Sequence, residues 1–138
     1  MVRTAGLDIG ERTIGIAVSD LLGITAQGLD TIKRSHMEAD LQHIISILKD
    51  YDVTLVVVGL PKNMNNTLGP SADRAKEFGS EIAKRTGIEI KYWDERLTTV
   101  SAQRTLLEGD VSRKKRKQVV DKIAAVMILQ NYMDSTIR

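Results

Sequence analysis

The sequence predicts an α/β domain built on a mixed five-stranded sheet, with three antiparallel hairpin strands leading into βαβ units and helices on the sheet faces. Two observations carry this. The first part of the chain holds short apolar runs separated by glycine-containing breaks. The rest alternates β-branched runs with segments of helical period.

Taken in order, Ala5-Gly6-Leu7-Asp8-Ile9-Gly10 is a short apolar run ending in a glycine turn, and Thr13 to Ser19 alternates apolar with small residues. Ile24 to Ile32 is a weaker third strand. The breaks at Gly10-Glu11-Arg12 and Leu22-Gly23 suit hairpins. Leu41, Ile44, Ile45 and Leu48 then share one face of a helix over about 38–50. Val53 to Leu60 is continuously apolar, as a strand buried on both faces requires, and Pro61 stops it. Asn63, Asn65 and Asn66 mark a loop over 62–69. A helix with a charged outer face follows over 71–86, closed by Gly87. Ile88 to Trp93 is the last strand, and helices over 99–108 and about 117–133 finish the chain. The order βββαβαβαα matches the ribonuclease-H-like fold, expected here as one domain over 1–138.

The 138 residues suit one domain, and 42% hydrophobic residues suffice for a continuous core. The absence of cysteine excludes disulfides, thiolate metal sites and cysteine nucleophiles, and it suits a cytoplasmic setting. The N-terminus lacks the apolar core of a signal peptide, and no apolar run is long enough to cross a bilayer, so no membrane association is expected. A net charge of +2 identifies no partner, so the placement of charge matters more than its sum.

Three acids stand at informative places. Asp8 lies inside an apolar strand, where an unpaired carboxylate is costly to bury. Alternation sets it on the face of Gly6, opposite Leu7 and Ile9, and a glycine beside an acid leaves room for a ligand to approach the backbone. Glu95 follows the last strand, and ligands of open α/β sheets bind at carboxyl strand ends. Asp121 lies in the last helix, one turn before Ala124 and Ala125, small residues that allow close packing on the sheet. Singly, each acid has a plain role: Asp8 in a turn cap, Glu95 beside Arg96, Asp121 beside Lys117 or Lys122. Together they make an all-oxygen set suited to Mg²⁺ or Mn²⁺, the ions that assist phosphodiester hydrolysis.

Arg113, Lys114, Lys115, Arg116 and Lys117 are consecutive cations just upstream of Asp121. Mutual repulsion predicts a mobile loop, and nucleic-acid phosphate would relieve it. The plain reading is a solvated helix start, although cations are poorly placed there. Arg12, in the first hairpin, is a weaker candidate phosphate contact. His36 and His43 read as surface residues, Thr98 and Thr99 as helix caps, and Tyr92 and Trp93 as core packing.

Gly6-Leu7-Asp8-Ile9-Gly10, Gly15 to Asp20, Val58-Gly59-Leu60-Pro61, Asp94-Glu95-Arg96-Leu97-Thr98-Thr99 and Asp121-Lys122-Ile123-Ala124-Ala125 resemble the YqgF family over essentially the whole chain. That family is described as Holliday-junction-resolvase-like, with members named as nucleases that mature the 5′ end of pre-16S ribosomal RNA. The resemblance implies a ribonuclease-H-like fold, a cytoplasmic bacterial protein and an acidic triad of Asp8, Glu95 and Asp121. Two positions depart from related patterns. Ala124 stands where bacterial junction resolvases carry a fourth acid, and Asn66 stands where many relatives carry glycine. The expected activity is endonucleolytic cleavage, with precursor rRNA preferred and branched DNA as the second substrate, by a monomer or homodimer. The rivals are a junction resolvase, a non-catalytic RNA-binding module, and an actin- or sugar-kinase-like phosphate binder suggested by Asp8-Ile9-Gly10 before a hairpin.

Overall fold

The computed structural model describes residues 3–29, 31–60, 70–94 and 113–136, with the backbone alone over 70–71 and 113–122. Its elements are β1 (Arg3–Ile9), β2 (Thr13–Ser19), β3 (Ala26–Gly28), β4 (Ile32–Lys33), α1 (Met37–Asp50), β5 (Val53–Leu60), α2 (Pro70–Thr86), β6 (Glu89–Asp94) and α3 (Arg113–Thr136). The strands form one sheet in the order β3-β2-β1-β5-β6, with β4 also on β2. β1 to β4 pair antiparallel, whereas β5 and β6 run parallel to β1. This is the ribonuclease-H-like order read from the sequence.

The third strand differs from expectation, because it is two pieces and the sheet has six strands. Ala17 pairs with Gly28, yet Ile14 pairs with Ile32, so the third segment carries one residue more than β2 between these pairs. That one-residue difference sets β3 and β4 in different registers against β2. The segment also starts later than Ile24. Asp20 Oδ1 accepts the Ile24 N–H at 2.8 Å, and Asp20 Oδ2 accepts the Thr25 hydroxyl at 3.2 Å. Those bonds hold the two residues in the turn.

Alternation sorts the side chains onto two faces. Ala5, Leu7 and Ile9 of β1 and Val56, Val58 and Leu60 of β5 face α1 and α2, in one cluster with Leu41, Ile44, Leu48, Phe78 and Ile82. Each large aliphatic side chain fully withdrawn from water there contributes about 1.5–3 kcal/mol. Leu41, Ile44 and Leu48 are buried as the helical spacing requires, while Ile45 is half-buried. His36 is exposed and caps α1, its Nδ1 accepting the Ala39 N–H at 3.3 Å. Gly87 closes α2 at φ +74°, donating to the Ala83 carbonyl at 2.9 Å. Among the described residues, no helix is long and apolar enough to cross a membrane.

The other face is covered by α3, through Ala124, Ala125, Ile128, Leu129 and Met133. This helix begins at Arg113, so the backbone of the basic run is helical rather than a loop. Lysine and arginine are good helix formers, and the run contains no glycine or proline. Intrinsic helix preference outweighs mutual repulsion in this run.

Candidate active site

Asp8 is half-buried in β1, paired with Gly15 of β2. Its face is set by Gly6. A Cβ added at Gly6 would stand 2.8 Å from Leu129 Cβ and 3.0 Å from the Ala125 carbonyl oxygen. Gly6 therefore serves close approach of α3 to the sheet, a correction to the expectation that its space serves a ligand. By alternation, Asp8 lies on that same face, beyond Gly6 toward the carboxyl end of β1.

The direction of α3 follows from Gln130. Its Oε1 accepts the Ala26 N–H and its Nε2 donates to the Ile24 carbonyl, both at 2.9 Å. Ala26 pairs with Ser19, at the end of β2 that lies beside the start of β1. Late turns of α3 thus lie over the start of β1, and earlier turns point toward its carboxyl end. Position 121 is one turn before Ala125, about 6 Å back along the helix. Asp8 is two residues past Gly6, about 7 Å along the strand. The two backbones advance together to the same end of the sheet.

β6 reaches that end as well. Leu7 pairs with Val58, and Gly59 pairs with Trp93, so the next step of register sets Asp8 and Trp93 on either side of Gly59. Two strand spacings separate them, about 10 Å. Trp93 packs edge-on against Tyr132 of α3, with ring centroids 5.9 Å apart. Its Nε1 is buried without a hydrogen-bond partner among the described residues. Core packing is thus the role of Trp93, as expected, whereas Tyr92 is 40% exposed and donates its hydroxyl to the Lys76 carbonyl at 3.2 Å.

Glu95 lies outside the described residues, as do Thr98, Thr99, Asn66 and the expected helix over 99–108. Asp121, Arg113, Lys114, Lys115, Arg116 and Lys117 are described by their backbone alone. Arg12 is exposed in the β1–β2 turn. Ala124 is fully buried against Val57 and Ile128, so an apolar contact stands at the position where the sequence resemblance marks a departure from junction resolvases.

Sequence reasoning missed Arg34 and Asp40. Asp40 is 2% exposed at the start of α1 and accepts Arg34 Nε at 2.9 Å. Arg34 also donates through Nη1 to the Gly10 carbonyl at 2.8 Å. A signal was present: Asp40, Ile44 and Leu48 stand four apart, placing an acid on the apolar stripe of the helix.

The chain is similar to known proteins. Residues 2–135 match the family described as RuvX, Holliday junction resolvase. A Heliobacterium modesticaldum protein named "Putative pre-16S rRNA nuclease" is 60% identical over 97% of this chain and 90% of its own. A Halalkalibacterium halodurans protein of the same name is 57% identical over 96% of each chain. Among solved structures, Thermus thermophilus RuvC in complex with Holliday junction substrate aligns with a TM-score of 0.62 at 15% identity, covering 99% of this chain and 98% of that one. The fowlpox virus Holliday junction resolvase aligns at 0.57 and 14% identity, covering 98% and 99%. At such identities the structures show the shared fold. The family match and the relatives spanning nearly the whole chain show that this protein belongs to the RuvX, or YqgF, family.

Proposed function

We propose that this chain is a metal-dependent endonuclease, a single nuclease domain that hydrolyses phosphodiester bonds, preferentially in the 5′-end maturation of pre-16S rRNA. Membership of the family and the names of its relatives support a nuclease hydrolase. The observation that carries the reading is the shared direction of Asp8 and position 121. Both lie beyond the tight Gly6–α3 contact, toward the carboxyl ends of the parallel strands.

In this reading Asp8 and Asp121 are direct ligands of Mg²⁺ or Mn²⁺, and Glu95, next in the chain after the end of β6, ligates the ion or orients the attacking water. The fit rests on donor chemistry: Asp8 is a half-buried carboxylate facing the last helix, and hard divalent cations take oxygen ligands. Held by these carboxylates, such an ion would supply a lowered water pKa and offset phosphate charge. Arg113, Lys114, Lys115, Arg116 and Lys117, at the amino end of α3, bind the phosphate backbone, and Arg12 adds a contact from the first turn. The work is cytoplasmic, in keeping with a chain without cysteine.

A second reading, resolution of four-way DNA junctions by a homodimer, draws on the likeness to RuvC solved with a junction. The buried Ala124 favours the RNA reading over a resolvase-identical metal site. The test offers precursor rRNA and a four-way DNA junction side by side, with Mg²⁺ or Mn²⁺ and with Asp8→Asn as control. Metal-dependent cleavage of rRNA, lost in Asp8→Asn, is the expected result. Preference for the junction transfers the assignment to resolvase. No cleavage of either at high protein concentration leaves a non-catalytic binding module.

A further inference from the structure

We propose that Arg34, neutralised by Asp40, is a positioning residue that fixes the β1–β2 turn and presents Arg12 to nucleic-acid phosphate. The inference rests on the nucleic-acid reading above, and it concerns residues outside the metal triad.

The turn is held from both sides. Gly10 N–H donates to the Thr13 carbonyl at 3.0 Å, and a Cβ on Gly10 would stand 2.8 Å from that oxygen. Only glycine fits so close a closure. Arg34 Nη1 holds the Gly10 carbonyl at 2.8 Å, and the Arg34 backbone N–H holds the Arg12 carbonyl at 2.7 Å. One residue thus bonds the chain at both ends of the Gly10-Glu11-Arg12 tip.

Arg34 is itself fixed by Asp40 and by the Phe78 ring. Its Nε meets Asp40 Oδ2 at 2.9 Å, and its guanidinium lies 4.8 Å from the centre of the Phe78 ring. Asp40 is 2% exposed, with Oδ1 accepting the Ser35 N–H at 3.1 Å. The planar fork lets Nε serve Asp40 while Nη1 serves Gly10, which a lysine ammonium cannot reproduce. A buried ion pair contributes little net stability compared with apolar side chains of the same volume. Its use here is orientation. The guanidinium carries the rigidity of the α1–α2 core to an exposed turn at the carboxyl end of β1, two residues beyond Asp8. Glu11 adds a looser tie, 3.6 Å from Arg74 of α2.

The test measures binding of a fluorescein-labelled RNA duplex to the full chain by anisotropy, in an Asp8→Asn background. Arg12→Ala, Arg34→Lys and the double variant are compared across a salt series. Arg34→Lys keeps a cation against Asp40 but loses the second arm. Each single variant should weaken binding about fivefold, and the double variant no further than either alone, because residues acting as a unit are not additive. Arg34→Lys should also lower the salt slope by about one, as Arg12→Ala does, although it retains its charge. A purely structural pair would lower Tm and leave affinity and slope unchanged, which overturns the proposal. Losses that multiply in the double variant overturn it too. If Arg34→Lys fails to fold by circular dichroism, Arg34→Met with Asp40→Leu removes the buried charges together and is read by the same criteria. Absence of binding by the parent chain overturns both this role and the nucleic-acid reading. Binding without cleavage by the native chain removes only the nuclease reading.

Discussion

The two faces of the sheet are built on different plans. The face under α1 and α2 is filled with large side chains, Leu7, Ile14, Ile16, Val56 and Val58 meeting Leu41, Ile44, Leu48, Phe78 and Ile82. Under α3 the closest approach is made by small residues, Gly6 and Ala17 on the sheet and Ala124 and Ala125 on the helix, with Val57, Ile128, Leu129 and Met133 packed around them. The first face holds most of the largest fully buried side chains among the described residues. The second brings a helix backbone close to a strand, and Asp8 is on that side. Stability and the proposed chemistry are therefore drawn from opposite surfaces of one sheet, and substitutions on each should separate them.

The sharpest separation is Asp8→Asn. Cleavage should fall about a thousandfold, as loss of a metal ligand worth several kcal/mol requires, while Tm changes little. Retained cleavage would remove the chemistry from this face. On the opposite face, Leu48→Ala should cost about 2–5 kcal/mol in urea denaturation, with unchanged activity per folded molecule. Gly6→Ala tests the boundary. Its methyl group forces α3 outward, costing about 1–3 kcal/mol of stability. It should also lower activity at temperatures where the protein remains folded, since Asp8 and position 121 would part. If activity per folded molecule holds in Gly6→Ala, the close contact serves packing alone. The smallest effect belongs to Asp20. Its carboxyl lies below the ordinary value of 3.8, chiefly through the Ile24 N–H, with further bonds from Thr25. A depressed folded-state pKa contributes stability above the unfolded value and loses it as pH falls through the folded one. Native Tm should thus fall more than that of Asp20→Asn on acidification below about pH 4.

The division between the faces was largely legible in residue order. Alternation in Gly6-Leu7-Asp8-Ile9 assigns the faces, and the unbroken Val53–Leu60 run marks a strand buried on both. The small alanines beside Asp121 indicated close packing, and Ala124 and Ala125 are fully buried. Interactions between distant segments were harder to read. The late start of the third strand depends on Asp20 holding the Ile24 and Thr25 N–H groups, and its break on a one-residue insertion against β2. Neither is written in a local period. The helical basic run was hidden because repulsion and helix preference pull opposite ways in the same five residues. Arg34 escaped notice because an arginine after a short strand is ordinary until Asp40 and Gly10 are seen at its two ends.

The order in which the faces close has its own consequence. Every described strand precedes α3 in the chain, and Gly6 meets Leu129 only across nearly the full length of the described fold. Contacts of such span close a large loop, and they come late in folding. The large-residue face can collapse while the small-residue face still lies bare. With position 121 on α3, the proposed active site would be complete only once that helix docks.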